Sequence, residues 1–189
     1  MKTQDTSAPH PDDATASPDK PRSSATEDAG TKSQSLYNLI AQQPFFTGLN
    51  ERSLQLLADS AMEKQFKRGQ SILEEGSPAN RFYLILEGRV LLESELKDRG
   101  LVPIETLGPG DDLGWSWLFP PYSLQLSARA LEPTRTIFFY GTRLRGECEL
   151  DHELGYQLTR RIAEVLIKRL RATQQRLIET VAPYQFSDR

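Results

Sequence analysis

Between residues 108 and 126 the chain gathers residue types that could hold a small ligand. Gly108, Gly110 and Gly114 flank Asp111 and Asp112. Glycines so spaced suit tight turns, and a short helical turn opening near Gly114 would present backbone N–H groups to an anion. They serve equally as plain turns, and both readings stand. Trp115, Trp117, Phe119 and Tyr122 place four rings within eight residues, with Pro120 and Pro121 stiffening the loop. Such a cluster fills a pocket or lines an apolar one, and filling is the simpler reading.

Other reactive side chains are few. Cys148 is the single cysteine, which excludes a disulfide framework and a cysteine-based zinc site. Glu147 and Glu149 flank it and disfavour a thiolate, so it reads as a small buried hydrophobe. Of the two histidines, His10 lies in a polar head and His152 opens a long helical pattern as a solvent-facing residue. No Ser–His–Asp or Cys–His arrangement exists, and the glycine-rich middle holds no histidine for a metal. These residues predict no enzyme, no metal and no cofactor. A formal charge of −3 argues against a protein built to grip nucleic acid. No run approaches about 18 apolar residues and no apolar leader opens the chain, so a cytoplasmic protein without a membrane partner is expected.

The elements that position these residues follow from the pattern. Residues 1–34 contain no Val, Ile, Leu, Phe, Tyr or Trp but four Pro, five Ser and five Thr, and read as a disordered tail. Order is expected from Ser35, an N-cap ahead of Leu36, Leu39 and Ile40, in a helix that Pro44 stops. Asn50 caps a second helix with Leu54, Leu57, Ala58 and Ala61 on one face. The period then becomes two: Phe82, Leu84 and Leu86 alternate with Tyr83 and Ile85, and Leu124, Leu126, Ala128 and Ala130 repeat the pattern. Many short strands between turns predict an antiparallel roll, closed by a strand over residues 136–140. Thr142 can cap a short helix through Glu149. Asp151 can cap a long one to Ala182, where Pro183 ends it. Its stripe of Leu154, Leu158, Ile162, Leu166, Leu170, Thr173, Leu177 and Val181 spans a rod of about 45 Å, longer than a compact roll can cover. Arg160, Arg161, Lys168, Arg169, Arg171 and Arg176 read as its solvated outer face.

The run Lys67-Arg68-Gly69-Gln70-Ser71-Ile72-Leu73-Glu74-Glu75-Gly76, continuing through Arg81-Phe82-Tyr83-Leu84-Ile85-Leu86-Glu87-Gly88-Arg89-Val90, resembles the cyclic nucleotide-binding domain. Pro44-Phe45-Phe46-Thr47-Gly48-Leu49 before it, and Gly108-x-Gly110-Asp111-x-x-Gly114 after it, fit the same resemblance. It covers about residues 44–140, with the long helix in the place of the family's C-helix. The resemblance implies that a Glu following Gly114 would bind the ribose 2′-hydroxyl; Trp115 stands there, followed by Ser116. It implies an Arg-(Ser/Thr) pair for the cyclic phosphate; with one deletion in the loop, Leu124 and Gln125 fall at those positions. Arg129, five residues along a strand from Leu124, faces the other way. The resemblance also implies a DNA-reading unit after the C-helix, and seven residues after Ala182 are too few for one.

The expected fold is α+β: a cyclic nucleotide-binding-like antiparallel β-roll, or jelly roll, over residues 35–150, a long dimerisation helix over 151–182, and a tail over 183–189. The candidate ligand pocket comprises Gly110, Gly114, Trp115, Ser116, Leu124 and Gln125. The candidate dimer seam comprises Leu158, Ile162, Leu166, Leu170 and Leu177. The leading function is a non-catalytic regulatory or interaction module, a homodimer with a protein partner, that does not bind cAMP in the usual way. The alternatives are a small-ligand sensor for a nucleotide held in a non-standard way or an apolar molecule, and a transcription regulator lacking its own DNA-binding domain.

Overall fold

The computed structural model describes residues 24–181. The expectations for residues 1–23 and 183–189, and for the stops at Ala182 and Pro183, lie outside them. The first helix, α1 (Ser24–Ala41), begins at Ser24 rather than Ser35. Ala25, Glu27, Ala29 and Lys32 are good helix formers, so the helix extends beyond the part that reaches the core. Leu36 and Ile40 supply that part. The Ser33 hydroxyl donates to Asp59 Oδ1 at 2.8 Å and ties α1 to α2 (Glu51–Ser60). Between them Pro44 opens a 3-10 turn, Pro44–Phe46, where its missing N–H costs nothing. Asn50 caps α2 as expected, accepting from the Ser53 N–H at 2.8 Å.

Eight strands follow: β1 (Ala61–Phe66), β2 (Ser71–Leu73), β3 (Arg81–Glu87), β4 (Val90–Leu96), β5 (Gly100–Leu107), β6 (Asp112–Leu113), β7 (Ser127–Ala130) and β8 (Thr134–Tyr140). They form two antiparallel four-stranded sheets, ordered β1-β8-β3-β6 and β2-β7-β4-β5. The nearly unbroken apolar run of β3 has a physical reason: both of its faces are covered. Tyr83 and Ile85 point between the sheets with Val90, Leu92, Leu113 and Phe138. Phe82 and Leu84 point outward to a second core shared with Leu36, Ile40, Phe46 and Leu57. Gly88 turns β3 into β4 at φ +89°, and a Cβ there would lie 2.5 Å from the Pro133 carbonyl oxygen, so no other residue fits.

The helical end returns across the outer face of the first sheet. The short α3 (Gly141–Leu150) starts before Thr142, with Tyr140 at its N-cap position. Asp151 caps α4 (His152–Val181), accepting from the Leu154 N–H at 3.0 Å. The seam expected for a dimer divides here. Leu158 and Ile162 are buried in their own domain, at 2% and 0% exposure, and cannot meet a partner. Leu166 is half-buried against the same core. Leu170 and Leu177 are exposed, because they stand on a side of α4 turned away from the roll, whereas Arg169 and Arg176 reach it. No helix among the described residues is long and apolar enough to cross a membrane.

Candidate ligand site in the roll

The 108–126 segment is positioned by β6 and by the turn that follows it. Gly114 sits at φ +87°, where a Cβ would lie 2.5 Å from the Arg81 carbonyl oxygen; glycine lets the chain pass against β3. The 3-10 turn Trp115–Trp117 opens there, and the loop returns into β7. Gly114, Trp115, Ser116, Leu124 and Gln125 meet around one cavity, whose remaining wall includes Leu73, Leu92, Leu113 and Leu126. Its volume is about 40 Å³, room for a few waters by the measure that one water needs about 10–15 Å³. Pockets that enclose a small organic ligand run to about 300–1,000 Å³.

Gly110 is not part of it. Its N–H donates to the Ile85 carbonyl at 2.8 Å, and the residue lines a separate groove beside Pro44. The reading of Gly110 as an anion donor is therefore corrected: the pairing of the loop with β3 spends that amide. The four rings also separate rather than filling one pocket. Trp117 is fully buried in the outer core against Phe82, and its indole N–H finds no protein acceptor. Trp115 is half-buried at the cavity and edge-on to Phe119, with centroids 6.5 Å apart. Phe119 and Tyr122 are exposed, and the Arg145 guanidinium lies over Tyr122 at 4.4 Å.

Leu124 is 6% exposed and belongs to the inter-sheet core, while Gln125 faces solvent and donates to the Ser123 carbonyl. Arg129 lies on the outer face, as the strand period requires. It holds Glu93 in two charge-assisted hydrogen bonds of 3.0 and 2.7 Å, and these keep the Glu93 carboxyl below the ordinary range. It has no route to the cavity.

The family now follows from fold and comparison together. A protein named for cyclic nucleotide binding from Geobacter metallireducens GS-15 superposes with a TM-score of 0.65 at 32% identity, over 70% of this chain and 96% of that one. The cyclic nucleotide-binding domain family matches residues 63–151. This chain belongs to the cyclic nucleotide-binding domain family. The CRP-like cAMP-activated global transcriptional regulator of Mycobacterium tuberculosis is 27% identical over 143 residues, 76% of this chain and 62% of that protein. The chain thus matches less than two thirds of that relative's length. The regulatory subunit of a cAMP-independent protein kinase A from Trypanosoma brucei shares the fold, with a TM-score of 0.55 at 23% identity over 60% of this chain and 42% of that one. The Mycobacterium and Trypanosoma proteins are regulatory by name.

One residue of this cyclic nucleotide-binding domain was missed in the sequence. Arg169, read as solvated, reaches from α4 to the roll cavity and is the only cation lining it among the described residues. Its guanidinium donates to the Asp112 carbonyl and lies 3.6 Å from Asp112 Oδ1 and 3.8 Å from Glu105 Oε2. Asp112 is 2% exposed, and its Oδ2 has no hydrogen-bond partner among the described residues. Burial pushes the Asp112 carboxyl above its ordinary range, with Arg169 pulling the other way. The available signal was spacing: Arg169 stands seven residues after Ile162, hence on the buried face. The other stripe cations are also less free than expected. Arg160 pairs with Glu164, Arg161 donates to the Thr47 carbonyl, and Arg176 donates to the Ile104 carbonyl. Cys148 is half-buried, and burial, with Asp151, Glu147 and Glu149 nearby, pushes its thiol to about 11. His152 is exposed.

Proposed function

We propose that this protein is a non-catalytic regulatory module of the family, one whose roll does not take cAMP in the family's manner and whose α4 helices pair two copies. The observation that carries the first half is the cavity of about 40 Å³ enclosed by Trp115 and Leu124. Those two stand where the resemblance places the ribose acceptor and the phosphate's arginine. Each such interaction is worth about 1.5–3 kcal/mol as a charged hydrogen bond, so losing both weakens binding by about 10²–10⁴. Arg169 is no substitute, because Asp112 and Glu105 already engage it. The Trypanosoma protein's name supports a family member working without cAMP, whereas the Mycobacterium protein's name records activation by it.

The second half rests on Leu170 and Leu177, seven residues apart and 58% and 62% exposed. A seven-residue apolar repeat on an exposed helix face is the seam that a like helix packs against. A module that pairs in this way can pass the state of its roll to whatever binds the dimer, which is the regulatory reading.

Calorimetry with cAMP and cGMP tests the roll: neither should saturate in the micromolar range. Trp115→Glu combined with Leu124→Arg should gain measurable cAMP affinity if removing two bulky apolar groups reopens the site. Micromolar cAMP binding by the parent protein, unchanged by Lys168→Glu in the outer groove and strengthened by Leu124→Arg, refutes the proposal.

A further inference from the structure

A second cavity, about 440 Å³, lies outside the roll between α4 and the turn joining β5 to β6. Its walls carry opposite charge. On the α4 side stand Arg161 and Lys168, beside Arg160 and Glu164, which pair with each other at 3.1 Å. No carboxylate lies within 4.0 Å of Arg161 or Lys168 among the described residues. Arg161 uses its guanidinium on the Gln157 side chain at 2.7 Å and the Thr47 carbonyl at 2.6 Å, which holds the group in place but leaves its charge unanswered. On the roll side stand Glu105, Asp111 and Asp112. Arg169 alone reaches two of these three, and Asp112 Oδ2 keeps no hydrogen-bond partner among the described residues. Between the charged walls Phe45 and Val165 supply an apolar surface.

We propose that this groove binds a small dipolar ligand: an anionic group at one end, an amino-bearing planar ring at the other. The anion sits against Arg161 and Lys168, where charge-assisted hydrogen bonds are strong. The amino group donates to the carboxylates of the roll wall, and the ring covers Phe45 and Val165. Each wall makes the other necessary. A bare anion meets the roll-wall carboxylates as well as Glu164, and a bare amine meets the α4 cations, so either half alone is opposed by the field that favours the whole. The volume falls in the range of cavities that enclose small organic ligands. Such a ligand would bridge α4 to the roll. The groove shares Arg169 alone with the cavity that Trp115 and Leu124 close, and it stands whether or not that cavity takes a nucleotide.

Calorimetry on the full chain decides it, with AMP and 4-aminobenzoate as dipolar probes and adenosine and inorganic phosphate as the two halves. At least one dipolar probe should saturate below about 1 mM, with each half at least about tenfold weaker. AMP alone saturating assigns a phosphate ligand; 4-aminobenzoate alone assigns a carboxylate one. Lys168→Glu should weaken the bound probe about tenfold or more, and since Lys168 is exposed and forms no ion pair, the variant folds. Lys97→Glu, the same charge change at an exposed residue between β4 and β5 that does not line the groove, should leave it unchanged. The proposal is overturned if neither probe saturates, if a half binds as well as the whole, or if Lys168→Glu changes nothing.

Discussion

Replacing Arg169 with Met tests how α4 is fastened to the roll. The substitution keeps much of the side chain's apolar bulk and removes the cation that pairs with Asp112, whose side chain is 3% exposed beside an arginine at 16%. A carboxylate left unpaired in that setting has two ways out. It can stay charged, at a cost of about 3–5 kcal/mol for a broken buried pair, or take up a proton. Protonation at pH 7 of a group that titrates near 3.9 when unfolded costs about 1.4 kcal/mol for each of about three pH units, or roughly 4 kcal/mol. The expected loss of stability at pH 7 is therefore at most about 4 kcal/mol, since burial already raises the Asp112 carboxyl in the parent. The sign with pH follows from the direction of the shift. Burial raises the Asp112 carboxyl above its unfolded value, so the penalty is full at high pH and relieved as pH falls toward that value. At pH 5 only about one unit remains to be overcome, and the loss should shrink to between about 1 and 2 kcal/mol. Urea denaturation of parent and variant at pH 7 and pH 5 measures both numbers. Adding Asp112→Asn should recover most of the loss at pH 7 and abolish its pH dependence. A loss below about 1 kcal/mol at pH 7, or one equal at both pH values, would falsify the claim that Arg169 neutralises a buried carboxylate.

Three further outcomes are expected. Leu170→Lys with Leu177→Lys should convert a dimer to a monomer by light scattering while leaving the fold within about 1 kcal/mol, because both side chains are exposed in the protomer; a monomeric parent protein refutes the pairing. Alkylation of Cys148 by iodoacetamide at pH 8 should run about a hundredfold slower than that of an unperturbed thiol and recover on unfolding, since a thiol near 11 supplies far less thiolate. Sequence-specific duplex DNA binding should be absent at physiological salt, because the net charge is −3 and several α4 arginines are engaged within the domain. Submicromolar binding with about hundredfold preference for one sequence would contradict that.

Local chemistry was legible wherever a residue's task is set by its neighbours in the chain. Asn50 and Asp151 cap their helices because a cap needs only an oxygen three residues before an N–H. The apolar alternation of Phe82–Leu86 and the glycine turns at Gly88 and Gly114 announced the roll because strand period and left-handed backbone are written residue by residue. The start of α1 was misjudged for a related reason: apolar spacing marks where a helix meets a core, and α1 begins before it does.

Everything that depends on which surface meets which waited for the tertiary structure. Leu158 and Leu170 have the same residue type in the same stripe, yet one is 2% exposed and the other 58%, because the stripe winds around α4 and Leu170 is turned away from the roll that Arg169 reaches. Gly110 and Gly114 share a motif, but β3 takes the amide of the first and the cavity takes the second. Arg169 and Asp112 stand 57 residues apart. The sequence determined that the chain would make a roll and a rod; only their packing decided which charges the rod brings to the roll, since a contact between distant segments leaves no periodicity in either.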